Sequence, residues 1–216
     1  MPFAVGVALS PVPIIAVILI LFTPKARTNS VTFLIGWMLG LAAVGGIVLA
    51  LGDISTDDSS GGSTISGVIK LALGLLLLLL AARNWRSRPE SSEQAEMPRW
   101  MNALDDFNAA KSTGIAFLLS GINPKNLILT AGGAITIASV GLSNGEQAAA
   151  LVVYILIASL TVGAPVLIYL VMGEKADAGL TSLKDWLAVN NAAVMAVLLL
   201  VFGAKLLGDG ISILSA

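Results

Sequence analysis

Cysteine and histidine are both absent from this 216-residue chain. Without thiols, thiol–disulfide transfer and cysteine-based metal sites are excluded. Without imidazoles, so are histidine-containing zinc motifs, a Ser-His-Asp triad and a histidine proton relay. Charge is scarce too. Only 12% of residues are charged and the net charge is −1, so no broad basic surface exists for nucleic acid. The apolar segments contain no cluster of carboxylates, so neither a metal nor a cofactor is expected. Intramembrane hydrolysis would need a base, a metal or an acid pair, and the sequence offers none, so an enzyme is not expected either.

What is present is apolar. Hydrophobic residues make up 56% of the chain, and the mean hydropathy is +0.92. Such a composition belongs to polytopic membrane proteins. Runs of about 20 apolar residues each predict six spans, near Phe3–Phe22, Ser30–Leu51, Ile65–Ala82, Ser112–Val140, Gln147–Gly173 and Val189–Ile213. In lipid the backbone must satisfy itself, so the spans are expected to be helical. Phe3–Phe22 has no basic region before it and reads as a retained span rather than a cleaved signal.

The basic residues orient these spans. Lys25 and Arg27 lie between spans 1 and 2; Arg83, Arg86, Arg88, Arg99 and Lys111 between spans 3 and 4; Lys175 and Lys184 between spans 5 and 6. The opposite links, 53–64 and 141–146, hold no Lys or Arg. The positive-inside rule makes the first set cytoplasmic and places both termini outside.

Two spans are interrupted by proline. Span 4 carries Ser120, Gly121, Ile122, Asn123, Pro124, Lys125 and Asn126 in its middle, and span 1 carries Ser10, Pro11, Val12 and Pro13. Proline removes a helical hydrogen bond and clashes with the preceding turn. Freed N–H groups at a half-helix start favour an anion, and freed carbonyls a cation or hydroxyl. A deep lysine is a functional candidate by default, although Lys125 would also serve as a structural partner for freed carbonyls. Ser10, Pro11, Pro13, Ser120, Asn123, Pro124, Lys125 and Asn126 are therefore the candidate substrate site, suited to an anionic or polyhydroxylated headgroup. Paired broken helices predict a 3+3 inverted repeat with the site at its interface: residues 1–83, a cytoplasmic linker 84–111, and residues 112–216.

Other residues carry two readings each. Lys70 either snorkels from span 3 or belongs to a gate. Lys205 and Asp209, four apart on span 6, form either a local ion pair or a coupling pair. Gly36-x-x-x-Gly40 permits close helix approach within the molecule or in a homodimer. Gly163 and Pro165 suggest a kink in span 5, where Ser159 and Thr161 either line a cavity or bond their own helix. Pro98–Ser112 reads as an amphipathic helix with Trp100, Met101, Leu104 and Phe107 on one face, an interfacial anchor or a gate.

At these residues the chain resembles the lysine exporter (LysE) superfamily, with its proline-rich break in the first helix and Asn-Pro-Lys break in the fourth. It is most similar to the branch called GAP or sulfolipid-addressing (Sap) proteins. The matching pieces are Ala8–Val17, Phe22–Arg27, Phe33–Trp37, Pro98–Met101 and Gly121–Leu127. The resemblance implies a multi-pass protein of the bacterial plasma membrane that helps export envelope glycolipids or peptidoglycolipids. Its partners would be membrane lipid and a larger lipid transporter. A small-solute exporter of the same fold, and an assembly factor that moves nothing, are the competing readings.

Overall fold

A computed structural model describes residues 1–55, 61–87 and 108–215. These form eight α-helices and short turns, with no strand among the described residues. They are α1 (Pro2–Ala8), α2 (Pro11–Leu21), α3 (Ala26–Ser55), α4 (Gly61–Arg86), α5 (Ala109–Gly121), α6 (Pro124–Ala138), α7 (Asn144–Met172) and α8 (Asp177–Ser215).

Both expected interruptions are present. Pro11 opens α2 and Pro124 opens α6, the helical position that tolerates a missing N–H. Across Leu9 and Ser10 the axis of α1 bends by 45° into α2. Among the described residues, three helical stretches are long and apolar enough to cross a membrane: Ala26–Leu51, Thr64–Arg86 and Asn144–Ser215. The bent pair α1 and α2 is a fourth. The 72-residue stretch Asn144–Ser215 contains both α7 and α8. It turns at Gly173, whose φ of +59° is a conformation that suits a residue without Cβ.

The surface is that of a protein solvated by lipid. Ile47, Leu79, Leu160, Leu167 and Val171 are all more than 60% exposed, while Ser10, Asn29, Ser30, Lys70, Ser120, Lys125, Asn126 and Thr130 are buried. In water this would be an inverted distribution; in a bilayer the polar groups gain by facing inward. The chain is thus an all-helical membrane protein.

Small residues set the closest packing. α3 lies along α5, where a Cβ on Gly36 would stand 2.2 Å from the Thr113 carbonyl oxygen. One on Gly40 would stand 2.7 Å from that of Phe117. The stripe therefore serves contact within the molecule. α4 lies along α8 through Gly67, Gly74, Gly203 and Gly210.

Three boundaries differ from the sequence reading. α8 starts at Asp177, about three turns before the expected Val189. The polar residues of 177–188 interrupt an apolar run without breaking a helix, and Leu180 and Leu187 there are buried. α4 continues to Arg86, past the expected repeat boundary at residue 83. α5 begins at Ala109, because the Asn108 side chain accepts a hydrogen bond from the Lys111 N–H at 3.0 Å. Residues 109–111 therefore belong to α5 and not to a separate interfacial helix. The rest of that expected helix, with Trp100, Met101, Leu104 and Phe107, lies outside the described residues.

Candidate functional site

The two breaks meet. Ser10, the N-cap residue of α2, donates from Oγ to Oδ1 of Asn126 in the first turn of α6 at 3.3 Å, and both side chains are buried. Asn126 also donates from Nδ2 to the Leu119 carbonyl at 2.9 Å. One side chain thus closes the second break on itself and ties it to the first. The amide needs a donor on one side and an acceptor on the other, and the Ser10 hydroxyl and the Leu119 carbonyl supply them.

The remaining predicted residues divide. Asn123 caps α6, its side chain accepting from the Lys125 N–H at 3.2 Å. Ser120 donates to the Phe117 carbonyl of its own helix at 3.1 Å. Pro11 and Pro13 are buried, and Pro124 is exposed. Lys125 stands apart. Its side chain is 2% exposed, and its ammonium nitrogen has no hydrogen-bond partner among the described residues.

Span 5 reaches the first break. The Thr161 hydroxyl donates to the Ala8 carbonyl at the end of α1, so it bonds a neighbouring helix and not its own. Ser159 is buried, and its hydroxyl has no partner among the described residues. Gly163 faces Leu34 with room for a Cβ, at 3.8 Å, and Pro165 sits inside an unbroken α7.

The charged trio forms a second centre. Lys205 Nζ lies 2.7 Å from Asp209 Oδ2. Lys70 comes from α4 and is buried as a residue, and Asp209 and Lys205 both act on it electrostatically. The structure does not bring this trio to the breaks.

Several residues here carried no mark in the sequence. Thr130 and Tyr154 are buried beside each other, their hydroxyls interacting in a geometry short of a formed hydrogen bond. Tyr154 packs on Gly133, where a Cβ would lie 2.6 Å from its ring. Phe3 and Phe202 pack with tilted rings, centroids 5.8 Å apart, and Lys205 Nζ sits 5.5 Å from the Phe3 centroid. A tyrosine in the interior of a span was the one available signal, because its apolar body and polar tip seek a partner when buried.

A cavity of about 310 Å³ lies between the start of α1, the end of α6 and the start of α7. Tyr154 and Lys205 line it, and none of Ser10, Ser120, Asn123, Lys125 or Asn126 does. No curated protein and no solved structure matches the chain. The family model described as Sap, sulfolipid-1-addressing protein, matches residues 1–212, so nearly every helix described above falls within the match and the chain belongs to that family.

Proposed function

We propose that this protein exports an amphiphilic envelope lipid across the bacterial plasma membrane, with its transfer site where the two broken spans meet. The family description names a lipid-addressing protein, not an enzyme. The single observation that carries the site is Lys125, a buried ammonium without a partner among the described residues, one position before the Asn126 that reaches Ser10. A lysine deep in a membrane span costs about 3 kcal/mol even with relaxation of its surroundings. A headgroup oxygen that reaches the ammonium would offset that cost.

The helix pairings support the 3+3 inverted repeat of a LysE-like fold. Exchanging α1–α4 for α5–α8 turns α3 on α5 into α7 on α1, α3 on α6 into α7 on α2, and α2 on α8 into α6 on α4; all of these pairings occur, while α1 on α6 has no comparable counterpart in α5 on α2. The α4–α8 and α3–α7 pairings map onto themselves. Such a repeat supports alternating access about a midplane site. The basic residues favour both termini outside. On that orientation the cavity beside Met1, Leu142 and Lys205 opens on the outer half.

A small-solute exporter is the second reading, favoured by a cavity near the lower end of the roughly 300–1,000 Å³ usual for ligand pockets. Surface-extractable lipids separate the two. They would be compared among parent, deletion, and deletion strains complemented with wild type or Lys125→Met. The lipid reading expects one lipid class to leave the surface in the deletion and to return with wild type only, at equal protein levels. Unchanged surface lipids in the deletion would overturn it.

A further inference from the structure

Two stripes of residues run from the cavity to the breaks. On α6, Ile137 and Gly133 stand in the cavity wall, and Thr130 and Asn126 follow them at helical spacing toward Ser10. On α7, Ala150 and Tyr154 stand in the wall, and Ala158 and Thr161 follow toward the Ala8 carbonyl. α1 packs on both helices and covers the same interval, from Phe3 in the wall to Ala8 at the break. Between cavity and breaks the stripes carry Gly133, Thr130 and Ala158, all small, and one large side chain, Tyr154. Its ring lies on Gly133, where a Cβ would stand 2.6 Å away. The Thr130 and Tyr154 hydroxyls are buried, and neither makes a formed hydrogen bond among the described residues.

We propose that these stripes are the route between the breaks and the cavity, and that Tyr154 is its gate. The gate is shut while the ring lies on Gly133 and open when the ring swings into the cavity. Packing alone holds the ring, since its hydroxyl makes no formed hydrogen bond among the described residues. Two unmet hydroxyls raise the free energy of the shut state, and water or a headgroup oxygen entering behind the ring meets both. The cavity of about 310 Å³ has room for the displaced ring, because an apolar cavity of about 150 Å³ already takes up benzene. With the ring gone, Gly133, Thr130 and Ala158 leave a passage to Asn126 and, one residue before it, Lys125. The inference rests on the transfer-site reading above and deepens it, adding the gate that alternating access needs on one side of its site.

The chain has no cysteine, so single introduced cysteines report access directly. Ala150→Cys marks the cavity and Thr130→Cys the route behind the ring. Each would be treated, in intact cells and in inverted vesicles, with the membrane-impermeant thiol reagent methanethiosulfonate ethylsulfonate, and the rate read from the thiols that remain. From the side that labels Ala150→Cys, Thr130→Cys is expected to react about tenfold more slowly or less, since a shut gate admits reagent only through brief openings. Adding Tyr154→Ala should raise the Thr130→Cys rate about tenfold. It should leave the Ala150→Cys rate nearly unchanged, which also shows that the variant is folded. Gly133→Ala keeps the tyrosine but displaces its ring and should have the same effect; it decides the matter if Tyr154→Ala does not fold. Tyr154→Phe keeps the ring and should stay shut. Equal rates at the two positions with Tyr154 in place would overturn the proposal. So would no gain in the folded Tyr154→Ala or Gly133→Ala protein, or a Tyr154→Phe protein as open as Tyr154→Ala. Labelling needs no cargo, so its result stands apart from the surface-lipid comparison, and either can fail without the other.

Discussion

Gly74 and Gly203 face each other across α4 and α8, so that a Cβ on either would lie 3.0–3.1 Å from the other's carbonyl oxygen. Leu207 and Leu78 side-chain atoms stand equally close, at 2.9 Å, and the carbonyls behind them are backbone with little room to retreat. Gly74→Ala or Gly203→Ala gains about 1 kcal/mol of helix propensity but forces the helices apart, and overpacking of this kind costs about 1–3 kcal/mol. Both variants are therefore expected to melt earlier in mild detergent. Gly208→Ala, on the same helix with nothing near its Cβ position, should melt at or slightly above wild type. A Gly203→Ala protein as stable as wild type would mean that the helices are not in this contact.

The contact of α3 with α5 is tighter still. A Cβ on Gly40 would stand 2.0 Å from Ser120 Oγ and 2.7 Å from the Phe117 carbonyl oxygen. Ser120→Ala relieves the first clash and leaves the second. Gly40→Ala should thus lose folded yield, and the double variant should recover only part of it. Cross-linking and mass measurement in detergent should show the same oligomeric state in every variant that folds, because the stripe is occupied within one molecule.

Asn126 holds three parts of the chain at once, which makes it harder to replace than Ser10. Asn126→Leu leaves both the Leu119 carbonyl and the Ser10 hydroxyl without their partner, and each unmet buried group costs about 1–3 kcal/mol. Ser10→Ala leaves one buried acceptor, Asn126 Oδ1, unmet where Asn126→Leu leaves two groups, and should cost about 1–3 kcal/mol in all. Thermal unfolding should rank them in that order. The reverse order would mean that the link between the breaks, and not closure of the second break, dominates.

Thr161 and Ser159 are two residues apart on α7 and make opposite forecasts. Thr161→Val keeps the shape and removes the donor to the Ala8 carbonyl, with an expected cost of about 1–2 kcal/mol. Ser159→Ala removes a hydroxyl without a partner among the described residues and should be neutral or slightly stabilising. Hydrogen exchange at the end of α1 should quicken in the first variant alone.

The sequence by itself determined the class of molecule and the places where its helices stop. Apolar runs with no cysteine, no histidine and few charges leave only a helical membrane protein. Pro11 and Pro124 break their helices wherever they are put, because a missing N–H and a clashing ring are local facts. The motifs around them carried the family. What sequence could not decide was which partner each polar group would find. Ser10 and Asn126 lie 116 residues apart, and no local rule pairs them. Lys70 reads alone on its span until α8 packs along α4 and brings Lys205 and Asp209 within electrostatic reach. The Gly36–Gly40 stripe fits a second copy as readily as α5 until the fold brings α5 there. Phe3 and Tyr154 look like core residues until three helix ends converge around a space that none of them fills. Helix breaks follow from covalent geometry within a few residues, whereas pairing across helices depends on how whole helices pack, and only the tertiary structure fixes that.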